Sequence, residues 1–372
     1  MEPPNPTQES NQEALVVRVA LCVGSDALDR YRRVLRHLAV GMVDQAVQLR
    51  WVSSDPRIET LTLGPVQTTL HPRIGWPIAQ RRLAQLCDAL SSQPPLIVHA
   101  LSGESYRIAG MLASTLDAEV VLQVTSLSDC QQAADLDQPR VGKFIALTNP
   151  LSAILVESLG IEPDRVEVIR PGIQASRGIA SFADEHEAVT LLCTSALERD
   201  CGVDHLIEAA AILENRGHDF LLFLLGQGSQ ESSLRLLVRQ RRLSSCVTFA
   251  QPMGNVVSAM QSADIFIRPS ADTAFMDDGL HAMGAGTAMV TLPSDVCDHF
   301  QHDQTAVVCD KPTAKALADA IERLLTDRAF AQRIAKAALE YVRTHHAMSR
   351  MAESTAAVYR RLALARTTLS IR

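Results

Sequence analysis

The chain has 372 residues, of which 47% are hydrophobic and 21% charged, and its formal net charge is −7. That length and balance suit two globular domains with ample core, and the acidic balance argues against a nucleic-acid binder. No apolar run is long enough to cross a bilayer, and the polar, Pro-rich opening MEPPNPTQESNQEA lacks the basic and apolar regions of a signal peptide.

Residues 1–14 read as a disordered tail. From there apolar strand runs alternate with amphipathic stretches. Strands are predicted over 15–23 and 49–53, with a helical pattern over 27–47 between them. A strand over 96–100, a helix over 105–116 and a strand over 118–124 follow, then a strand over 143–147 and a helix over 149–159. A strand over 166–169 ends at Arg170-Pro171-Gly172. The stretch 174–187 has no apolar period and reads as a linker. The alternation then restarts: strands are predicted at Val189–Cys193, Phe220–Leu225, 247–249, 265–267, 289–292 and 306–308, with a helix over Val203–Asn215. From residue 314 to 369 the pattern is helical, with breaks near Asp327 and His345. Such alternation predicts parallel sheets with helices on both faces. The 8 cysteines are scattered, with no Cys-x-x-Cys pair, which points to reduced thiols and a cytoplasmic address and away from disulfides or a zinc site.

The densest signal is residues 262–290, SADIFIRPSADTAFMDDGLHAMGAGTAMV. It reads as strand, Pro-Ser turn, loop, short helix and strand, with the loop at the carboxyl end of a strand, where parallel sheets bind ligands. Ala263-Asp264, Pro269-Ser270, Phe275, Leu280, Ala282, Met283 and Gly286 resemble the donor-sugar loop of family four (group 1) glycosyltransferases. Similar matches run through most of the chain. Examples are the segment from Val98 to Ser105, the stretch Asp164-Arg165-Val166-Glu167-Val168-Ile169-Arg170-Pro171-Gly172-Ile173, the helix from Gly202, and Gly226-Gln227-Gly228 after a strand.

The resemblance implies the GT-B fold: α/β, two Rossmann-like doubly wound domains facing across a cleft. An acceptor-side domain is expected over 15–173 and a nucleotide-sugar-side domain over 188–346, with a C-terminal helix, 347–372, packing back on the first domain. It also implies transfer of a sugar from a UDP- or GDP-linked donor to a glycan or lipid-linked acceptor. Retention at the anomeric carbon, no cofactor and no metal go with that chemistry. The setting is the cytoplasm, with peripheral contact at the inner membrane face.

The same alignment shows departures. The family's two acids fall on Thr273 and His281, its Arg and Lys on Ala196 and Cys201, and a His on Thr125. Departure of a diphosphate builds negative charge, which cations or backbone N–H groups must stabilise. Arg199, Arg268 and Lys143 are the available replacement cations, and Arg268 is best placed because it ends a strand. Arg199, Arg268 and His99 are the candidate catalytic residues. Gly24, Gly226, Gly228, Ser270, Thr273 and Phe275 are expected at the donor, with Gly279, Leu280 and His281 on the helix behind them. Asp277-Asp278 reads as a helix N-cap or as a metal or sugar-hydroxyl site. The basic helix around Arg30, Arg32, Arg33 and Arg36 reads as a solvated face or as a surface for an anionic lipid or acceptor. The alternative function is a catalytically silent relative that binds a partner glycosyltransferase or a glycan. A Rossmann oxidoreductase has little support, since Gly24-Ser25-Asp26 is not a Gly-x-Gly-x-x-Gly fingerprint.

Overall fold

The first sheet has strands in the order β3-β2-β1-β4-β5-β6-β7, every neighbour parallel. Its elements in chain order are β1 (Arg18–Val23), α1 (Ser25–Asp44), β2 (Gln48–Ser53), β3 (Gln67–Leu70), α2 (Ala79–Ser91) and β4 (Ile97–Ala100). Then come α3 (Gly103–Leu116), β5 (Glu119–Val124), α4 (Leu127–Asp135), β6 (Val141–Ala146), α5 (Asn149–Ala153) and β7 (Val166–Val168). Central strands such as LCV of β1 and IVHA of β4 are buried throughout, as expected of a parallel sheet covered on both faces.

The second sheet, β10-β9-β8-β11-β12-β13, is again parallel. Its elements are β8 (Val189–Cys193), α6 (Val203–Asn215), β9 (Phe220–Leu225), α7 (Glu231–Gln240), β10 (Val247–Ala250) and α8 (Val256–Gln261). They continue with β11 (Ile265–Arg268), α9 (Asp278–Ala285), β12 (Ala288–Thr291), β13 (Val307–Val308), α10 (Ala314–Thr326), α11 (Arg328–His345) and α12 (Met348–Leu369). The computed structural model describes residues 16–369, apart from 62–63, 65, 73–78, 137–140, 183–187, 252–255 and 272. The tail expected over 1–14 and the end of the expected linker lie outside the described residues. Among the described residues no helix is long and apolar enough to cross a membrane.

Both sheets reverse strand order once, between β1 and β4 and between β8 and β11. Those reversals are the switch points where doubly wound sheets place ligands. The sequence pattern misses β3, α2 and α4. The expected helix over 149–159 is α5 continued by a π-helical turn, Ile154–Ser158.

The apolar core falls into two parts. One fills the first domain and runs on, through Met260, Phe275, Leu280 and Met283, into the inner face of the second sheet. The other lies on that sheet's outer face, between it and α6 and α10. The two domains therefore meet over a packed apolar contact.

Helix α12 returns to the first domain and crosses α1 at Gly41. A Cβ there would sit 2.4 Å from the Ala352 Cβ, so the helices touch without a side chain between them. Further along α12, Tyr359 is buried on His99, whose Nδ1 lies 2.7 Å from the Tyr359 hydroxyl. Arg360 donates to the Gln45 carbonyl at 2.8 Å, and Arg366 meets Asp117 at 2.6 Å.

Candidate functional site

At the first switch point the start of α1 is filled by a carboxylate. Glu104, on α3, accepts the Asp26 N–H at 3.0 Å and the Ser25 hydroxyl at 2.9 Å. Asp26 in turn accepts from Ser102 at 2.6 Å and pairs with Arg30 at 2.6 Å. Asp129 takes the Thr125 and Gly103 N–H groups, both at 3.0 Å, and stands 3.9 Å from Arg30. Helix N-termini attract anions; here the protein supplies its own. Gly24 is where the sequence places it, at the end of β1, but a Cβ there would meet Glu104 and Asp26 oxygens at 2.6 Å. Glu104 is the residue that sequence reasoning passed over. Its only signal is an acid in the first turn after Ser102.

The second switch point brings three loops together. The loop after β8 is held to the one after β9 by main-chain bonds: Leu197 N–H donates to Gln227 at 3.0 Å and Gln230 N–H donates to Leu197 at 2.8 Å. This contact explains Gly226 and Gly228, where a Cβ would lie 2.2 Å from the Ser195 and Leu197 carbonyl oxygens respectively. Gly202, at φ 73, opens α6 and would bring a Cβ to 2.2 Å from the Pro269 oxygen of the loop after β11. Between these loops lies a cavity of about 530 Å³, lined by Arg199, Cys201, Gly202, Asp204, Pro269 and Ser270 among others. The first turn of α6 faces it, which favours an anion. Glu198, Asp200 and Asp204 on the same wall oppose one. Arg199 is exposed. Burial raises the Cys201 thiol, which leaves it protonated and unreactive.

Arg268 ends β11 as expected, yet it is buried and its Nε lies 3.2 Å from Asp278 Oδ1, with the Phe300 ring 5.3 Å from its guanidinium carbon. Asp278 also accepts from Thr194 at 3.3 Å and from its neighbour Gly279 N–H at 2.8 Å. Asp277 makes no side-chain cap; it stands 3.7 Å from Arg33 and 3.4 Å from His281. In place of a cap, Asp277 contacts Arg33 on α1 and His281 on α9 itself. No group of three or more His, Cys, Asp or Glu suited to a metal occurs among the described residues.

The loop expected at the donor sugar is tied to the first domain. Phe275 N–H donates to Thr125 at 2.6 Å, Leu127 N–H donates to Thr273 at 3.1 Å, and Ser126 and Ala274 form an antiparallel bridge. Asp277 N–H donates to the Arg30 carbonyl at 3.0 Å. This bond falls where α1 breaks at Tyr31, whose φ of −152° and ψ of 37° leave the helical region. The Tyr31 ring fills the resulting space edge-on to Phe275 at 6.2 Å, and its hydroxyl donates to Leu101.

The sequence-selected residues therefore separate. Arg199 and Ser270 share the 530 Å³ cavity. Phe275, Gly279 and Leu280 are buried packing positions, Gly279 because a Cβ would meet Phe300 at 2.7 Å. Thr273 is exposed and lends its carbonyl to the interdomain bridge. His99 faces α12 rather than a cavity, and burial pushes it down to about 3, so it is neutral at pH 7 and suited to a core hydrogen bond rather than to proton transfer. Lys143 donates to the Asp164 carbonyl, away from both switch points. His281 lines a second cavity, on the flank of α1. Six of the eight cysteines are buried and all are free.

A doubly wound pair of domains of this kind, with facing switch points, defines the GT-B class. Residues 179–341, which span most of the second domain, match the family model described as "Glycosyl transferases group 1". The chain is 28% identical over 202 residues to D-inositol 3-phosphate glycosyltransferase of Pseudarthrobacter chlorophenolicus, covering 50% of this chain and 48% of that one. It is 29% identical over 209 residues to glycogen synthase of Mycobacterium tuberculosis, covering 55% and 50%. The chain thus spans about half the length of the curated relatives it matches. Its fold matches a glycosyltransferase from Rickettsia africae with a TM-score of 0.79 at 15% identity, over 94% of this chain and 99% of the other. It also matches Anabaena Alr3699/HepE in complex with UDP, with a TM-score of 0.74 at 13% identity over 92% and 98%.

Proposed function

We propose that this protein is a retaining glycosyltransferase that takes a sugar from a nucleotide-sugar donor and passes it to a glycan or lipid-linked acceptor. The observation that carries this reading is the cavity of about 530 Å³ at the second switch point, where the first turn of α6 and the Pro269-Ser270 turn converge within the family-matched domain. In this reading Arg199 swings onto the diphosphate and the α6 N–H groups share its charge. The acceptor lies against the lobe 15–173 and the donor against 188–346. The work is done in the cytoplasm, with peripheral contact at the inner membrane face.

The test is a thermal-shift screen with UDP, GDP, ADP and their sugar conjugates, followed by a transfer assay with the product anomer read by NMR. A ligand at a hundred times its dissociation constant adds about 2.7 kcal/mol of stability. A shift with one nucleotide family, lost in Arg199→Ala, together with a product of unchanged anomeric configuration, supports the reading. No shift with any nucleotide from folded protein overturns it.

A second reading is favoured by a specific observation. Carboxylates meet the groups that could hold an anion: Glu104 sits on the start of α1, Asp278 on Arg268, and Glu198, Asp200 and Asp204 line the 530 Å³ cavity itself. A protein so arranged acts as a silent binding subunit of another glycosyltransferase. Co-purification of an active transferase with a nucleotide-blind chain would establish it.

A further inference from the structure

A cluster of cations lies outside the switch points. A cavity of about 950 Å³ opens between α1, the segment after Gly172, and helices α8 and α9. Its wall carries Arg32, Arg33, Arg36 and His37 from α1, Arg177 from the connecting segment and His281 from α9. Thr60, Gln174 and Gln261 supply neutral polar groups, and no carboxylate is part of the lining among the described residues. This is the reverse of the chain as a whole, whose net charge is −7.

Spacing on α1 sets the cluster. Residues 32, 33 and 36 share one helical face, where like charges disfavour folding. Arg33 is partly neutralised by Asp277 at 3.7 Å. Arg32, Arg36 and Arg177 have no ion-pair partner among the described residues. A second, independent feature points into the same space: His281 is buried at 2% exposure, and its Nε2 has no hydrogen-bond partner, the Asp277 contact at 3.4 Å lacking the geometry of one. Unbalanced arginines around a concave wall, with an unsatisfied imidazole nitrogen at its base, match an anion carrying several acceptor oxygens.

We propose that this cavity binds a phosphorylated small molecule bearing at least two negative charges, gripped by Arg32, Arg36 and Arg177 and bridging the two domains. Guanidinium forks pair with phosphate oxygens two at a time. The volume lies in the range of ordinary ligand pockets. Because one wall belongs to α1 and another to α9, an occupant binds only one relative placement of the domains and so selects it. The cavity shares no lining residue with the 530 Å³ cavity, so this inference stands whether or not the chain transfers sugars.

The experiment is calorimetric titration of the full chain with inorganic pyrophosphate, in parallel with UDP and with co-sedimentation on phosphatidylglycerol vesicles. The variants are Arg36→Ala/Arg177→Ala, and Arg32→Gln as a milder change; all three positions are exposed, so the fold should persist, as an unchanged Tm would verify. Expected is saturable pyrophosphate binding that weakens with salt, falls at least tenfold in the double variant and falls less in Arg32→Gln, with any UDP response left intact. No pyrophosphate binding by the unaltered chain would overturn the proposal, as would binding that the double variant retains. Binding to vesicles alone would overturn it in favour of a lipid surface. Loss of UDP and pyrophosphate responses together would place the donor here and overturn the assignment of a separate site.

Discussion

Asp278 holds Arg268 at 3.2 Å, so the cation that the sequence offers to a departing diphosphate is already half of a buried pair. Replacing the acid separates its two effects. In Asp278→Asn the guanidinium loses its counter-charge, and stability should fall by about 1–3 kcal/mol. If the diphosphate approaches this edge, UDP affinity should rise about tenfold, equivalent to ~1.4 kcal/mol. Urea unfolding reads the first effect and calorimetry the second; unchanged affinity alongside lost stability would show that Arg268 serves the fold alone.

Gly202 tests the closeness of the loops. Its positive φ and the 2.2 Å approach to the Pro269 oxygen leave no room for a methyl group. Gly202→Ala should cost at least about 1 kcal/mol and open the 530 Å³ cavity, whereas Gly217→Ala, at φ 82 with nothing within 4 Å, bears the conformational cost alone. Urea midpoints of the two variants should therefore differ, with Gly202→Ala the lower.

The contact between the domains rests on Phe275, wedged between Tyr31 at 6.2 Å and His299 at 6.5 Å. Truncation in Phe275→Ala should cost about 3–5 kcal/mol. It should also split one calorimetric transition into two, because the continuous core is cut where the domains meet. A single transition, merely shifted, would mean that the main-chain bridge at Ser126 and Ala274 carries the coupling.

Three buried histidines set the acid limb of stability. Burial pushes His99 down to about 3 and His346 to about 4, and His299 well below its ordinary 6.5. In the unfolded chain each takes up a proton near 6.5, while in the fold each stays neutral until the pH is far lower. The unfolded state therefore binds more protons throughout that window, and stability falls as pH drops from 6.5 toward 4. At pH 5, unfolding should take up close to three protons from this source; urea midpoints compared at pH 7.5 and 5 check it, and equal midpoints would contradict it.

Sequence alone carried the architecture far. Helix borders near Asp327 and His345 were readable because the breaks have local causes: Asp327 caps α11 by accepting the Phe330 N–H at 2.8 Å. The weakly apolar stretch holding β3 and α2 gave no such signal. At the candidate site, positions were legible and surroundings were not. The strand alternation fixes which residues share a face with His99 but not that α12, 260 residues later, covers that face. The reach of Glu104 to the start of α1 spans 78 residues and leaves no local trace. Arg268 was correctly placed at a strand end, while its partner ten residues on could be recognised only once α9 had turned back toward it.

The return of α12 has a consequence for the order of events at synthesis. The first domain emerges early, yet its strand β4 presents a buried imidazole, and α1 a bare glycine, to a helix that follows the second domain in the chain. Domains generally fold as they leave the ribosome, but this one must wait, its flank unsealed, until the second domain has been translated and the chain has doubled back. A nascent chain stalled inside the second domain would therefore display an apolar groove on the first, and that groove is the surface a chaperone would find.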